Sequence, residues 1–460
     1  MFDGREFIAR VPNPNAGPPH FTIASEAATL EFLRTVLDLP VPKVYSWSTD
    51  STPSNPVGAE YMIMEKIQGK QLTDVWADMS PHQQFGLVKN LVPIEAKLAE
   101  SRLASYGSIY FRDFYPKSTA PTSKVLIDSS GEECSKFVIG ETAERSFWEK
   151  GRGSLQIDRG PWKSIEDYFA GVAKREIAWL DTMRRGDAGS RSEVSEKQQE
   201  LAAIHMGLLE QFLAVLPYII PKDKAIGYPT LWHTDLHHDN IFVDESDPSK
   251  ITGIIDWQGV EAAPFFMQAR FPSIFECDHP YPWGTVAPQL PENYETLPDD
   301  EKERAKVEYQ EVRLKKFYEI ASRKFNPLVF RAMDITQNDD DNQVVSTIFD
   351  IIGRSWIDGP VPLRELLIQV VEAWHLFSDG NRNPCPISYP EEQISQHRKQ
   401  AEVWGTVYQS FSKLRRELVG DKDGWVSHEE YEEAKARYEN EKGRLAELRR
   451  EVEQAGGGWG

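Results

Sequence analysis

Cysteine is almost missing from this sequence: Cys134, Cys277 and Cys385 stand far apart among 460 residues. No pair has the spacing of a zinc site or a redox motif. A disulfide framework is thereby excluded and a reducing compartment is expected. Long apolar runs are scarce too. A membrane-spanning helix needs about 20 mostly apolar residues, whereas the most apolar stretch, 208–220, is shorter and ends at Pro221. No membrane association is expected from it. The first ten residues, MFDGREFIAR, hold neither the apolar core of a signal peptide nor the Arg/Ser-rich look of a transit peptide. Positive charge is in deficit as well, 52 Lys and Arg against 72 Asp and Glu, a net −20. A nucleic-acid binder displaces counterions with a basic face, so nucleic acid is not an expected partner. The acidity suits a cationic substrate, although solubility alone accounts for it.

Apolar residues make up 40% of the chain, with 13 Trp, enough for one large two-lobed unit or two to three domains. Residues 6–11 alternate like a strand, and 12–19 form a Pro/Gly/Asn loop. Helical spacing predicts a helix over 25–37 with Ser25 as N-cap. Strands follow at 43–48 and 60–66, and Gly69 breaks the second. Beyond it helices dominate: 80–104, 165–184, 195–217, 298–325, 344–355, 363–377, 390–419 and the charged 429–454. Residues 111–162, rich in Gly, Ser and Pro, read as an irregular excursion with short strands. The final helix has a thin apolar stripe, which predicts packing rather than a coiled coil. This order predicts an α+β fold. A small β-rich lobe leads into a large helical one.

The chemistry is concentrated at 231–258. His233-x-Asp235-Leu236-x-x-x-Asn240 precedes the apolar run Ile241-Phe242-Val243. A turn at 244–250 and a second strand lead into Asp256. The hairpin brings Asp256 back beside Asn240. Phosphoryl transfer from a magnesium nucleotide needs a carboxylate to orient the attacking hydroxyl and oxygen ligands to hold the metal. A kinase catalytic loop spaces its base five residues before its Asn ligand, with a second Asp on a later strand. Asp235, Asn240 and Asp256 have that spacing, and His233 would support the loop. A rival use of the same segment is a metal hydrolase built on His233, Asp235, His237 and His238. No distant His/Asp set completes it.

These residues resemble the aminoglycoside phosphotransferase/choline-kinase-like family. Within it they are similar to the fungal phosphotransferase-domain proteins related to altered inheritance of mitochondria protein 9. The similarity rests on LWHTDLHHDNIFV (231–243) and IIDWQ (254–258), with GPW (160–162), RSWIDG (354–359) and DGWV (423–426) as further matches. It implies a protein-kinase-like two-lobed fold and an ATP/Mg²⁺-dependent phosphotransferase acting on a hydroxyl of a small molecule. By that resemblance Asp235 is the catalytic base, and Asn240 and Asp256 hold Mg²⁺. Arg10 stands where such proteins keep a phosphate-binding Lys, with Glu26 as its helix partner. Met64, Glu65 and Lys66 form the hinge that meets adenine. Two departures stand out. Arg replaces Lys, a change of shape. The glycine-rich phosphate loop and the strand before it are missing, and Gly4 reads as a hairpin turn. Both favour the alternative of a pseudokinase-like binding or regulatory protein.

The expected division is therefore 1–66 as a partial N-lobe, 67–420 as the C-lobe and 421–460 as a charged terminal helix. Glu276 and Asp278 are candidates to meet a cationic substrate. An intracellular location is expected, cytoplasmic or mitochondrial. Asp421-x-Asp423-Gly424 through Glu430 mimics an EF-hand loop from its third position onward. Its first position falls on Val419, which cannot ligate calcium, so a turn is expected there.

Overall fold

A computed structural model describes residues 6–13, 17–52, 54–115, 123–126, 133–185, 195–277, 279, 281–337, 340–378, 383–419 and 431–455. Gly4, Asp278 and the EF-hand-like stretch 421–430 lie outside them. The elements begin with β1 (Phe7–Arg10), α1 (Phe21–Thr35), β2 (Val44–Ser48), β3 (Tyr61–Glu65), β4 (Lys70–Gln71), α2 (Leu72–Val75) and α3 (Pro81–Glu100). Then come β5 (Ser108–Phe111), β6 (Ser123–Leu126), β7 (Glu133–Gly140), α4 (Ile165–Arg185), α5 (Glu196–Ile219), α6 (Lys224–Gly227) and β8 (Pro229–Leu231). A hairpin of β9 (Ile241–Val243) and β10 (Ile251–Ile254) is followed by β11 (Ala262–Pro264) and α7 (Phe265–Gln268). The chain continues through α8 (Asp299–Phe325), α9 (Pro327–Gln337), α10 (Asp340–Asp358), α11 (Pro360–Glu372), α12 (Trp374–Phe377), α13 (Glu391–Val419) and α14 (Tyr431–Gln454). Small sheets followed by helices are the α+β, kinase-like order expected.

Two helices start where their caps require. At α3 the Ser80 hydroxyl accepts from the Gln83 N–H, the Gln83 side chain accepts from the Ser80 N–H, and Pro81 opens the first turn. Ser195 and Gln198 form the same reciprocal pair at α5. Each such cap contributes about 1 kcal/mol by satisfying orphan donors. The expected start of α1 at Ser25 is corrected. The helix begins at Phe21, whose N–H bonds the Pro19 carbonyl, while the Thr22 hydroxyl bonds Pro18. Ser25 is buried in the second turn. Residues 22 to 30 are buried in succession, so no one-sided stripe marks the register.

Three antiparallel sheets frame the region of interest. In the first, β3 lies between β1 and β2, and Arg10 pairs with Met62. In the second, β9 lies between β10 and β4. The third, ordered β5-β7-β6, occupies the segment expected to be an irregular excursion. Gly69, at φ 108°, lets the chain cross β9: a Cβ there would sit 2.2 Å from the Val243 carbonyl oxygen.

The chain divides into two compact units. One joins Met1–Gly171 to Pro221–Ser346; the other joins Val172–Ile220 to Thr347–Gly460. Every residue of the candidate site belongs to the first. In the second, α5 revises the expectation drawn from the 208–220 stretch, because by length and composition it suffices to cross a membrane. Its Leu208, Leu209, Phe212, Val215 and Leu216 are buried, and Phe212 meets Phe349 of α10 edge-on. Such packing is what a core helix shows.

Candidate functional site

Local geometry places the loop before β9. The His233 ring is buried, with Nε2 2.9 Å from the Ile255 carbonyl. A carbonyl only accepts, so Nε2 carries the proton. Burial holds the imidazole below its ordinary value, opposed by that hydrogen bond. The His233 ring also meets Trp257 edge-on, and the Trp257 indole N–H bonds the Ile254 carbonyl. His233 thus ties the 233–240 loop to the end of β10. Gln71 adds a tie from β4, donating to the Asp239 carbonyl at 3.0 Å.

Asn240 is oriented from within the loop. Its amide nitrogen lies 2.9 Å from the Asp235 carbonyl and 3.0 Å from His237 Nε2. The amide oxygen remains as the group with ligand capacity. The Ile255 N–H donates to the Asn240 carbonyl, which brings Asp256 alongside. Asp256 adopts φ 61°, a left-handed conformation costly for a residue with a Cβ. The Asp235 side chain is 71% exposed, with Oδ2 3.6 Å from His237 Nε2.

From the other side, Arg10 joins three groups. Nη1 lies 2.6 Å from Glu26 Oε1 on α1, and Nη2 lies 3.1 Å from Asp256 Oδ1. The same Nη2 donates to the Gln258 side-chain oxygen. Burial pushes the Glu26 carboxyl up to about 7; Arg10 opposes the rise and Asp256 adds to it. Gln258 closes the IIDWQ motif, but no role was expected of it.

Arg10, Glu26, Asn240 and Asp256 line one cleft of about 570 Å³. Ile8, Leu30, Phe242 and Ile255 supply apolar walls, and Met64, Glu65 and Lys66 form an edge. The side chains of that edge are engaged nearby. Glu65 accepts from the Lys43 N–H at 3.1 Å, and Lys66 pairs with Glu6 at 3.0 Å. Glu276 is exposed beyond a short helical turn. The donor set, an amide oxygen and a carboxylate on one cleft beside a guanidinium, suits Mg²⁺ and phosphate oxygens. The hydrolase arrangement finds less support. Among the described residues no three His, Cys, Asp or Glu side chains converge as a metal site. His238 instead meets Trp76 edge-on.

Residues 162–267 match the phosphotransferase enzyme family, a stretch that holds the 233–240 loop and Asp256 but neither Arg10 nor Glu26. The chain is 29% identical over 464 residues to a subtelomeric hrmA-associated cluster protein of Aspergillus fumigatus, covering 94% of this chain and 87% of that one. It is 23% identical over 468 residues to the mitochondrial altered inheritance of mitochondria protein 9 of Eremothecium gossypii, covering 92% and 70%. The Saccharomyces cerevisiae protein of that name is 23% identical, with 93% and 70% covered. Among solved structures, ADP-bound aminoglycoside phosphotransferase APH(2'')-Ib is similar at 13% identity and a TM-score of 0.35, with 79% and 86% covered. So low a score carries no argument. The sequence matches show more: over nearly its whole length this chain is similar to the fungal altered-inheritance-of-mitochondria proteins, and its residues 162–267 match the phosphotransferase enzyme family.

Proposed function

We propose that the chain is an ATP/Mg²⁺-dependent phosphotransferase whose acceptor is a hydroxyl of a small molecule. The observation behind this reading is the meeting of Asn240, Asp256, Arg10 and Glu26 on one cleft with apolar walls. Asp235 orients the acceptor hydroxyl and takes its proton. Asn240 and Asp256 hold the metal, which when bound neutralises charge developing on the transferred phosphoryl group. Arg10 meets phosphate oxygens through its planar fork, and Glu26 keeps that fork in place. The adenine lies between the apolar walls, against the backbone of 64–66.

A second reading, a nucleotide-binding regulator without turnover, draws support from Arg10 itself. Its guanidinium is engaged by Glu26, Gln258 and the metal-ligand candidate Asp256. Both readings place the protein inside the cell. The mitochondrial reading draws on the relatives' names, and the expectation of no nucleic-acid partner on the charge of −20. The deciding experiment is thermal denaturation with ATP, with and without Mg²⁺. A magnesium-dependent rise in Tm, lost in Asp256→Ala, is expected. No rise in the intact chain overturns both readings. A rise kept in Asp235→Asn, with no ATP turnover by either protein, favours the regulator.

A further inference from the structure

The two long helices α3 and α8 pack side by side and leave a trough along their outer seam. Val92, Pro93 and Ala96 form one wall, and Phe317, Ile320 and Phe325 the other, around about 770 Å³. The trough continues past Phe317 and Ile320 into a second hollow of about 480 Å³, bordered by Phe85 and Val286. Val92 is buried, but other apolar side chains of the lining face solvent. Val286 is 58% exposed, Ile320 54% and Phe325 61%. Soluble surfaces seldom group large apolar residues this way without a partner.

The charges around it oppose those of the whole molecule. Lys89, Lys97, Arg313, Arg323 and Lys324 line the two hollows. Against them stand Glu100, and Asp38, which lies 3.5 Å from the Lys97 ammonium. Lys316 and Glu319 neutralise each other beneath the surface at 2.7 Å. A chain of net −20 thus concentrates cations around one apolar trough.

We infer that the α3–α8 trough is a docking site for an acidic amphipathic helix of a partner protein. Two neighbouring helices make a groove that a third helix fills, with apolar positions at i, i+3, i+4 and i+7 pointing down. The apolar positions from Phe317 to Phe325 span about 12 Å at 1.5 Å per residue, so the occupant contributes roughly two to three turns. Its flanks are Glu and Asp, matched to the basic rim. The concave shape favours a helix over a lipid surface. The negative charge of the rest of the molecule also opposes approach to anionic lipid.

Fluorescence anisotropy with the full chain tests this. The probe is a labelled 14-residue helical peptide with Leu at i, i+3, i+4 and i+7 spacing and Glu elsewhere. A scrambled peptide of the same composition is the control. The helical peptide is expected to saturate with a Kd near about 10 µM and to bind about tenfold more weakly when scrambled. Ile320→Asp weakens it at least tenfold while leaving the Tm unchanged, because the side chain is half in solvent. Lys89→Glu with Lys324→Glu gives a similar loss and removes its salt dependence. The inference is overturned by failure to saturate below about 1 mM, by equal binding of the scrambled peptide, or by an Ile320→Asp protein that binds like wild type. It is equally overturned if only anionic vesicles bind the trough, or if Ile320→Asp abolishes a self-association of this chain.

Discussion

Arg10 is the residue through which the two sides of the cleft meet. Its planar head reaches Glu26 with one nitrogen and both Asp256 and Gln258 with the other. A lysine ammonium is a point charge and cannot span those partners at once. Arg10→Lys is therefore expected to keep the Glu26 contact and lose the Asp256 and Gln258 contacts. The magnesium-dependent thermal stabilisation by ATP should shrink, with affinity weakened about tenfold, a loss of roughly 1.4 kcal/mol. Titration calorimetry of both proteins reads the change directly, and equal affinities would refute the bridging role. The same site shows which residues sequence reveals. The meeting of Asn240 and Asp256 on one cleft was legible because a single hairpin joins them, whereas Asp235 is not among the residues lining that cleft. The Arg10–Gln258 contact joins residues 248 apart, and no local pattern announces it. The exposure of Asp235 likewise depends on what the rest of the fold leaves uncovered.

At the scale of elements, the crossing of the 66–71 connection over β9 shapes the cleft. Gly69 permits it, with φ 108° and the Val243 carbonyl where a Cβ would lie. Gly69→Ala combines backbone strain with a clash against main chain that cannot swing aside. A loss of about 3 kcal/mol is expected. Gly58→Ala is the control: φ is also positive, at 69°, but nothing lies within 4 Å, so about 1 kcal/mol is expected. Chemical denaturation of the two variants separates the terms, and equal losses would show that strain alone matters. Elements were legible where local chemistry closes on itself, as in the Ser80/Gln83 and Ser195/Gln198 caps. They were obscure where burial erases periodicity, as in α1, and where pairing is non-local. Residues 108–111 join a sheet only because 133–140 returns beside them, and Gly, Ser and Pro between them hide it.

Across the whole molecule, buried titratable groups set how stability depends on pH. Burial pushes Glu26 up to about 7 and Glu95 up to about 8; the Glu95 carboxylate meets the Tyr318 hydroxyl at 2.7 Å inside the α3–α8 interface. Both carboxyls hold their protons in the folded chain after the unfolded chain has lost them near 4.5. Their stabilisation is full below about 4.5 and disappears as pH rises through 7 and 8. Buried histidines act in the opposite direction. His205 is pushed down to about 4, and burial also lowers His233, His238 and His397. The unfolded chain binds those protons first, so stability rises with pH until about 6.5 and is constant beyond it. Above 6.5 the two carboxyls act without that compensation, and the repulsion within a net charge of −20 adds to them. The Tm is thus expected to fall between pH 6.5 and 8.5. Glu95→Gln keeps an oxygen to accept the Tyr318 hydroxyl but has no proton to lose, so it should remove the larger part of the slope above pH 7. Melting curves at half-unit intervals decide the matter. A Glu95→Gln protein with the wild-type slope would show that Glu95 is already ionised in the fold, and that the α3–α8 interface is wetter than its packing indicates.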